Sequence, residues 1–147
     1  MSSEAQQEDY LKNRLEDQID WYNTKSAKNQ KMYKGLQLAS IITAALIPFI
    51  SGYLGDFGNL KYAVGAMGVL LAVFTAMTSL YKYQENWIAY RTTCESLIQE
   101  KYLYMTKSKP YHVKDPFNLL VQRVESLISQ ENSGWAELIK NTDETGD

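Results

Sequence analysis

Two stretches of the chain carry no charged side chain: Gly35 to Gly55, 21 residues, and Tyr62 to Tyr81, 20 residues. As helices rising about 1.5 Å per residue, each is about 30 Å long, the hydrocarbon thickness of a bilayer. Nine strongly apolar residues in the first, from Leu36 and Leu38 through Ile47 and Phe49 to Leu54, favour insertion by roughly 3 to 5 kcal/mol, which Gln37, Thr43 and Ser51 offset in part. The second run is bounded by Lys61 and Lys82, whose long stems let the ammonium groups reach the two interfaces. A buried helical hairpin of a soluble protein has the same pattern, but the rest of the chain supplies too little protein to cover two such helices. The expectation is therefore a pair of transmembrane helices, 35–55 and 62–81. The short turn at 56–61 makes them antiparallel, because Asp-x-x-Gly and Gly-Asn are turn chemistry.

Outside these runs the apolar positions become periodic. Residues 1–34 contain neither Gly nor Pro, and Leu11, Leu15, Ile19 and Tyr22 recur at spacings of four, four and three, which predicts an amphipathic N-terminal helix. From Val69 to Lys109 there is again no Gly or Pro, so the second span is expected to continue as a stalk helix over 82–109. Antiparallel descent from Lys34 and Lys82 puts residues near Trp21 opposite residues near Glu95, with Glu16, Asp17 and Asp20 able to pair with Arg91 or Lys101. Asp115 followed by Pro116 reads as an N-cap with proline at the first helical position. Phe117, Leu120, Val121, Val124, Leu127 and Ile128 then keep helical spacing, giving a C-terminal helix over 115–140 that docks on the stalk, with a break possible at Gly134. A polar tail, 141–147, is expected to be disordered. The predicted fold is all-α: a two-span transmembrane hairpin extended into a cytoplasmic helical stalk, plus a C-terminal cytoplasmic helix.

Charge sharpens this picture. Of 15 basic and 17 acidic residues, only Asp56 and Lys61 lie between Gly35 and Tyr81. The net charge of −2 gives no bulk attraction to nucleic acid. Lys25, Lys28, Lys31 and Lys34 precede the first span and Lys82 and Arg91 follow the second, against Lys61 alone between them, so both termini are expected to be cytoplasmic. Tyr53, Phe57 and Tyr62 at the outer end, and Tyr33, Tyr81, Tyr83 and Trp87 at the inner end, fit interfacial belts. Cys94 is alone, which excludes an internal disulfide, and Met1-Ser2-Ser3-Glu4 offers no removable targeting signal. His112 has no second His or Cys at ligand spacing. With no nucleophile elbow, His-Glu-x-x-His or phosphate loop, neither an enzyme nor a cofactor is expected.

Several residues inside and beside the spans are candidates for function. Pro48 removes a donor from the first span, which suits a hinge or ordinary membrane packing. Gly68, Ala72 and Ala76 repeat every four residues beside Gly65, a smooth face for close helix approach either to the first span or to a neighbouring subunit. Thr43, Ser51, Thr75, Thr78 and Ser79 can line an aqueous path, with Asp56 and Asn59 at the outer mouth. The same hydroxyls can instead bond carbonyls of their own helix. Near the inner mouth lie Gln84, Glu85, Asn86, Trp87, Arg91, Glu95 and Glu100, whose carboxylates either select cations as rings in an oligomer or form a solvated charged face. Glu85 lies closest to the membrane exit.

The combination of Arg14-Leu15-Glu16, Gln18 and Trp21-Tyr22 with Ala44-Ala45-Leu46-Ile47-Pro48, Tyr83-Gln84-Glu85-Asn86-Trp87, Tyr90-Arg91, Glu95 and Glu100-Lys101-Tyr102 resembles the DUF4231 group within the SLATT class of two-span proteins. Glu131-Asn132 with Trp135 resembles that family's closing segment. The resemblance implies a protein of the bacterial inner membrane, a proposed effector of conflict or defence systems that oligomerises and forms a pore when a separate nucleotide-dependent sensor protein triggers it. The expected function is accordingly an oligomeric, ion-conducting membrane pore, with the lipid bilayer, further copies of the chain and inorganic ions as partners. A non-conducting membrane anchor that recruits a cytoplasmic partner is the alternative.

Overall fold

The computed structural model describes residues 3–52 and 60–144, with side chains over 4–52 and 61–131. Among these residues there is no strand. The elements are α1 (Ser3–Asp9), a π-helical segment (Tyr10–Glu16), α2 (Asp17–Gly52), α3 (Leu60–Tyr81), α4 (Tyr83–Met105) and α5 (Pro116–Glu144). The chain divides into two compact units, one formed by 27–87 and the other by 1–26 with 88–147, so it passes between them within α2 and again within α4.

In the 27–87 unit, only one face of each helix is partly shielded. On α2 the less exposed positions include Leu36, Ser40, Thr43, Ile47 and Ile50, and on α3 Val64, Met67, Leu71, Phe74 and Thr78. Both series alternate steps of three and four, the spacing of a helix–helix seam. Every other face is open: Phe49 is 63% exposed, Val69 64% and Leu80 80%. Among the described residues, two helices are long and apolar enough to cross a membrane, and no residue of their most apolar stretches is fully buried. Pro48 lies within α2 without ending it.

The other unit has a conventional core. Leu15 and Tyr22 from the N-terminal helix, Cys94 and Leu97 from α4, Tyr111 from the connection, and Leu120, Val124 and Ile128 from α5 are buried together, flanked by Leu11, Ile19, Phe117 and Leu127. The contributions of the N-terminal helix and α5 are the periodic positions of the sequence, whereas Cys94, Leu97 and Tyr111 are not singled out by that periodicity; each fully buried aliphatic side chain contributes about 2 kcal/mol. The register also follows expectation. Lys101 Nζ is 2.6 Å from Glu16 Oε1, the Cys94 thiol lies 3.6 Å from the Ile19 carbonyl, and Trp21 meets Tyr90 edge to face at 5.7 Å. Arg91 pairs instead with Glu95 one turn along its own helix and reaches Asn23 Oδ1 at 3.5 Å.

Three features depart from the sequence reading. The expected continuous helix through Lys82 is interrupted: Lys82 takes φ 46°, and α4 starts anew at Tyr83. Asn86 absorbs the break, its side chain donating to the Tyr81 carbonyl at 3.1 Å and its backbone N–H to the Lys82 carbonyl at 3.0 Å. The N-terminal helix widens to a π-helix over Tyr10–Glu16, where Tyr10 and Arg14 converge on one carboxylate, Glu125. Helix α5 passes Gly134 and runs to Glu144, through the first four residues of the expected polar tail.

Both ends of the α4–α5 connection are capped. The N–H of Asn118 donates to Asp115 Oδ1 at 3.1 Å, the N-cap bond expected with Pro116 in the first helical position. At the C-terminus of α4, Ser108 N bonds Leu103 O at 2.9 Å and Lys107 N bonds Tyr104 O at 3.1 Å, a Schellman pair. Its left-handed position is Lys107, φ 50°, where glycine is normally preferred. Lys107→Gly is therefore expected to stabilise the chain by about 1 kcal/mol, read as a higher thermal midpoint of the detergent-solubilised protein; an unchanged or lower midpoint contradicts this account of the turn.

Candidate functional site

Several polar side chains of the apolar hairpin converge near one end of it. A groove of about 500 Å³ is lined by Gln37 and Ser40 from α2, Thr75, Thr78 and Ser79 from α3, and Lys82, Gln84 and Glu85 beyond the break. Of the residues predicted to line an ion path, Thr75, Thr78, Ser79 and Glu85 thus come together, joined by Gln84, whereas Thr43 and Ser51 are not part of this lining. Asp56 and Asn59, expected at the outer mouth, lie outside the described residues. The sequence reading missed Gln37, Ser40 and Lys82. The signal for the first two was their spacing of three within an otherwise apolar run, and Lys82 was read only as an interfacial anchor.

The hydroxyls are oriented by their own helices. Ser40 Oγ donates to the Leu36 carbonyl at 2.8 Å, Thr43 Oγ1 to Ala39 at 2.8 Å, Thr75 Oγ1 to Leu71 at 2.9 Å and Thr78 Oγ1 to Phe74 at 2.9 Å. Each such bond satisfies the hydroxyl proton inside the apolar region. At the rim, Lys82 Nζ lies 3.7 Å from Glu85 Oε2, and Tyr81 stacks on Tyr83 with centroids 5.4 Å apart.

The small-residue stripe faces away from the seam. Gly65, Gly68, Ala72 and Ala76 are all exposed, and a Cβ placed at Gly65 or Gly68 meets no atom within 4 Å. At about 100° per residue, Thr75 falls between this stripe and the seam with α2, and Ser79 falls within the arc of the stripe itself. Within the hairpin the stripe therefore does not pack against the first span.

The expected gating residues do not form one site. Gln84 lines the groove, Asn86 caps the break at Lys82, and Trp87 is half-buried in the same unit. Arg91 and Glu95 pair on the exposed face of α4. Glu100 has a different place: it is 6% exposed and held by Arg123, with Nε–Oε2 2.8 Å and Nη2–Oε1 2.6 Å, and by the Tyr111 hydroxyl. This clamp ties α4, the connection and α5 together. A second clamp joins the N-terminal segment to α5, where Arg14 binds Glu125 through Nε at 3.1 Å and Nη2 at 3.0 Å, and the Tyr10 hydroxyl donates to the same carboxylate at 3.1 Å. A third tyrosine, Tyr22, donates to Glu131 at 3.2 Å.

These clamps fix charge states. Hydrogen bonding to Arg123 holds the Glu100 carboxyl below the usual carboxylate range, against the opposing effect of burial, and Arg14 does the same for Glu125. Burial first, then their carboxylate partners, push the Tyr10, Tyr22 and Tyr111 hydroxyls well above the usual range, so they remain donors. Burial likewise raises the Cys94 thiol, which suits a core residue rather than a nucleophile. Among the described residues, no group of three or more His, Cys, Asp or Glu could hold a metal ion.

Among the described residues the fold is all-helical, with two helices long and apolar enough to cross a membrane, and this is the class it defines. Within it, the chain belongs to the DUF4231 family, described as a protein of unknown function, whose model matches residues 17–117. The match begins just after the π-helical segment and ends at the second residue of α5, so the Tyr10–Arg14–Glu125 clamp joins two parts of the chain lying outside it. Comparison with curated proteins and with solved structures yields no match.

Because the folded-state carboxyls of Glu100 and Glu125 are lowered, their contribution to stability is complete above the ordinary carboxylate range and is lost as pH falls through their depressed values. Thermal melts between about pH 7 and about pH 3 are expected to show an acid-induced loss of stability that is smaller in Glu100→Gln. Arg123→Met is expected to cost about 2 kcal/mol at neutral pH, less than for a fully buried pair because the Arg123 side chain is half-exposed. An acid limb unchanged by Glu100→Gln contradicts the assignment.

Proposed function

We propose that the protein is a two-span integral membrane protein with both termini cytoplasmic, which assembles as a homo-oligomer and passes ions along the polar side of its hairpin. The observation that carries this reading is the arrangement of α3. Its small-residue stripe is open outward, and the hydroxyl-bearing edge beside the stripe leads into the polar groove. A single hairpin cannot enclose a channel, whereas copies packed through Gly65, Gly68, Ala72 and Ala76 bring several such edges around one axis. Glu85 at the rim supplies a carboxylate from each copy, a common basis of cation preference. The lysines and arginines flanking the two apolar runs support the orientation.

The resemblance to the SLATT class supports placing this activity in the bacterial inner membrane, as an effector of a conflict or defence system triggered by a separate nucleotide-dependent sensor protein. The reading assigns the chain no catalytic step and no cofactor. One observation favours the alternative of a non-conducting anchor: with their protons satisfied inside α2 and α3, the hydroxyls need no aqueous path to be stable in a membrane.

Recording from the purified protein in planar bilayers, paired with its subunit mass in nanodiscs, separates the two. The conducting reading expects discrete currents from a defined oligomer, reduced cation preference in Glu85→Gln, and loss of both oligomer and current in Gly68→Ile, since a side chain there meets nothing in the isolated hairpin. A silent monomer or dimer, unaffected by either substitution, establishes the anchor instead.

A further inference from the structure

The groove holds a chemical asymmetry that the proposed function does not use. A hydroxyl has one proton and two lone pairs. In Ser40, Thr75 and Thr78 the proton is turned inward to the carbonyls of Leu36, Leu71 and Phe74. These three oxygens therefore present only lone pairs to the groove. The Glu85 carboxylate and the amide oxygens available from Gln37 and Gln84 extend the same lining. Neutral oxygens with one carboxylate make a weak ligand set for a hard cation of low charge. A divalent ion would need more carboxylates and would be repelled by the ammonium already there.

That ammonium belongs to Lys82, which lines the groove and lies 3.7 Å from Glu85. Its backbone is left-handed at φ 46°, a conformation that favours glycine and that lysine adopts only at a cost. The break thus places a cationic side chain, rather than an inert residue, at the entrance to an acceptor-lined groove. An ammonium and an alkali ion carry the same charge and seek the same oxygens.

We infer that this groove binds a hard monovalent cation and that the Lys82 ammonium is a tethered competitor for the same oxygens. The role in conduction rests on the proposed function, whereas binding is measurable on a hairpin that passes no current. Swinging Lys82 away from Glu85 opens the site to a free ion, and its return expels that ion, with no covalent step involved.

The test uses the full chain in lipid nanodiscs, with thallium(I) as the monovalent probe followed by thallium NMR. Lys82→Gln is expected to bind thallium about tenfold more tightly than the wild type, the effect of removing one positive charge within a few ångströms in a partly screened site. Lys82→Arg, which keeps the charge, is expected to stay at the wild-type affinity and so controls for disturbance of the turn. Adding Glu85→Gln to Lys82→Gln is expected to reverse the gain. The inference is overturned if Lys82→Gln binds no more tightly than wild type, if the Gln and Arg variants behave alike, or if Glu85→Gln has no effect. Tight, Glu85-dependent binding in a protein silent in planar bilayers contradicts conduction and leaves the cation site standing.

Discussion

Two helices packed side by side can shield only the strip along which they touch, and in residues 27–87 the rest of a strongly apolar surface is left open. Each unshielded Leu, Ile or Phe side chain in water forgoes about 2 kcal/mol that burial would provide, so this surface requires an apolar surrounding. On the proposed reading a bilayer supplies it, and the same surrounding accounts for the other regularities of the hairpin. Hydrocarbon offers no water to satisfy polar groups, and a helical backbone with serine and threonine hydroxyls turned back onto their own carbonyls suits it. Small residues mark the place where another helix can approach.

The second unit obeys the opposite economy of forces. Its core is modest, and α5 is fastened by ionised groups as well as by Leu120, Val124 and Ile128. The half-exposed Arg14–Glu125 pair adds little by itself, but sharing one carboxylate with Tyr10 specifies where α5 docks. The Glu100 clamp is more consequential, since a buried carboxylate without Arg123 and Tyr111 would leave an uncompensated charge between α4 and α5. This explains why Glu100, grouped by sequence with the exposed charges of the inner mouth, has a structural place instead.

How much was legible in the sequence follows from the range of each interaction. The two apolar runs, the cap at Asp115 and the antiparallel register that brings Glu16 to Lys101 were readable because they depend on local composition or on simple antiparallel counting, although the count left Asp17, Asp20 and Arg91 equally open as partners. The break at Lys82 was not, because the usual signals are glycine and proline, and here a lysine takes the left-handed position with Asn86 compensating. Glu100 was misplaced because its partners, Tyr111 and Arg123, lie beyond a turn whose geometry no periodicity encodes. The groove was half legible: its α3 hydroxyls stood out in an apolar run, whereas the contributions of Gln37 and Ser40 depend on how α2 is rotated about its axis. Gly134 carried a breaker signal that the surrounding helix overrides.

The central claim is that the outward faces of the 27–87 hairpin are covered by lipid. Its most direct test is the collision accessibility of spin labels placed one at a time at Leu38, Ile41, Val69 and Val73, all exposed in the chain itself, in the protein reconstituted into bilayers. The account predicts that dissolved oxygen, concentrated in hydrocarbon, relaxes these labels while a water-soluble nickel chelate does not. Labels equally open to the nickel chelate, or sealed from both reagents, would contradict it.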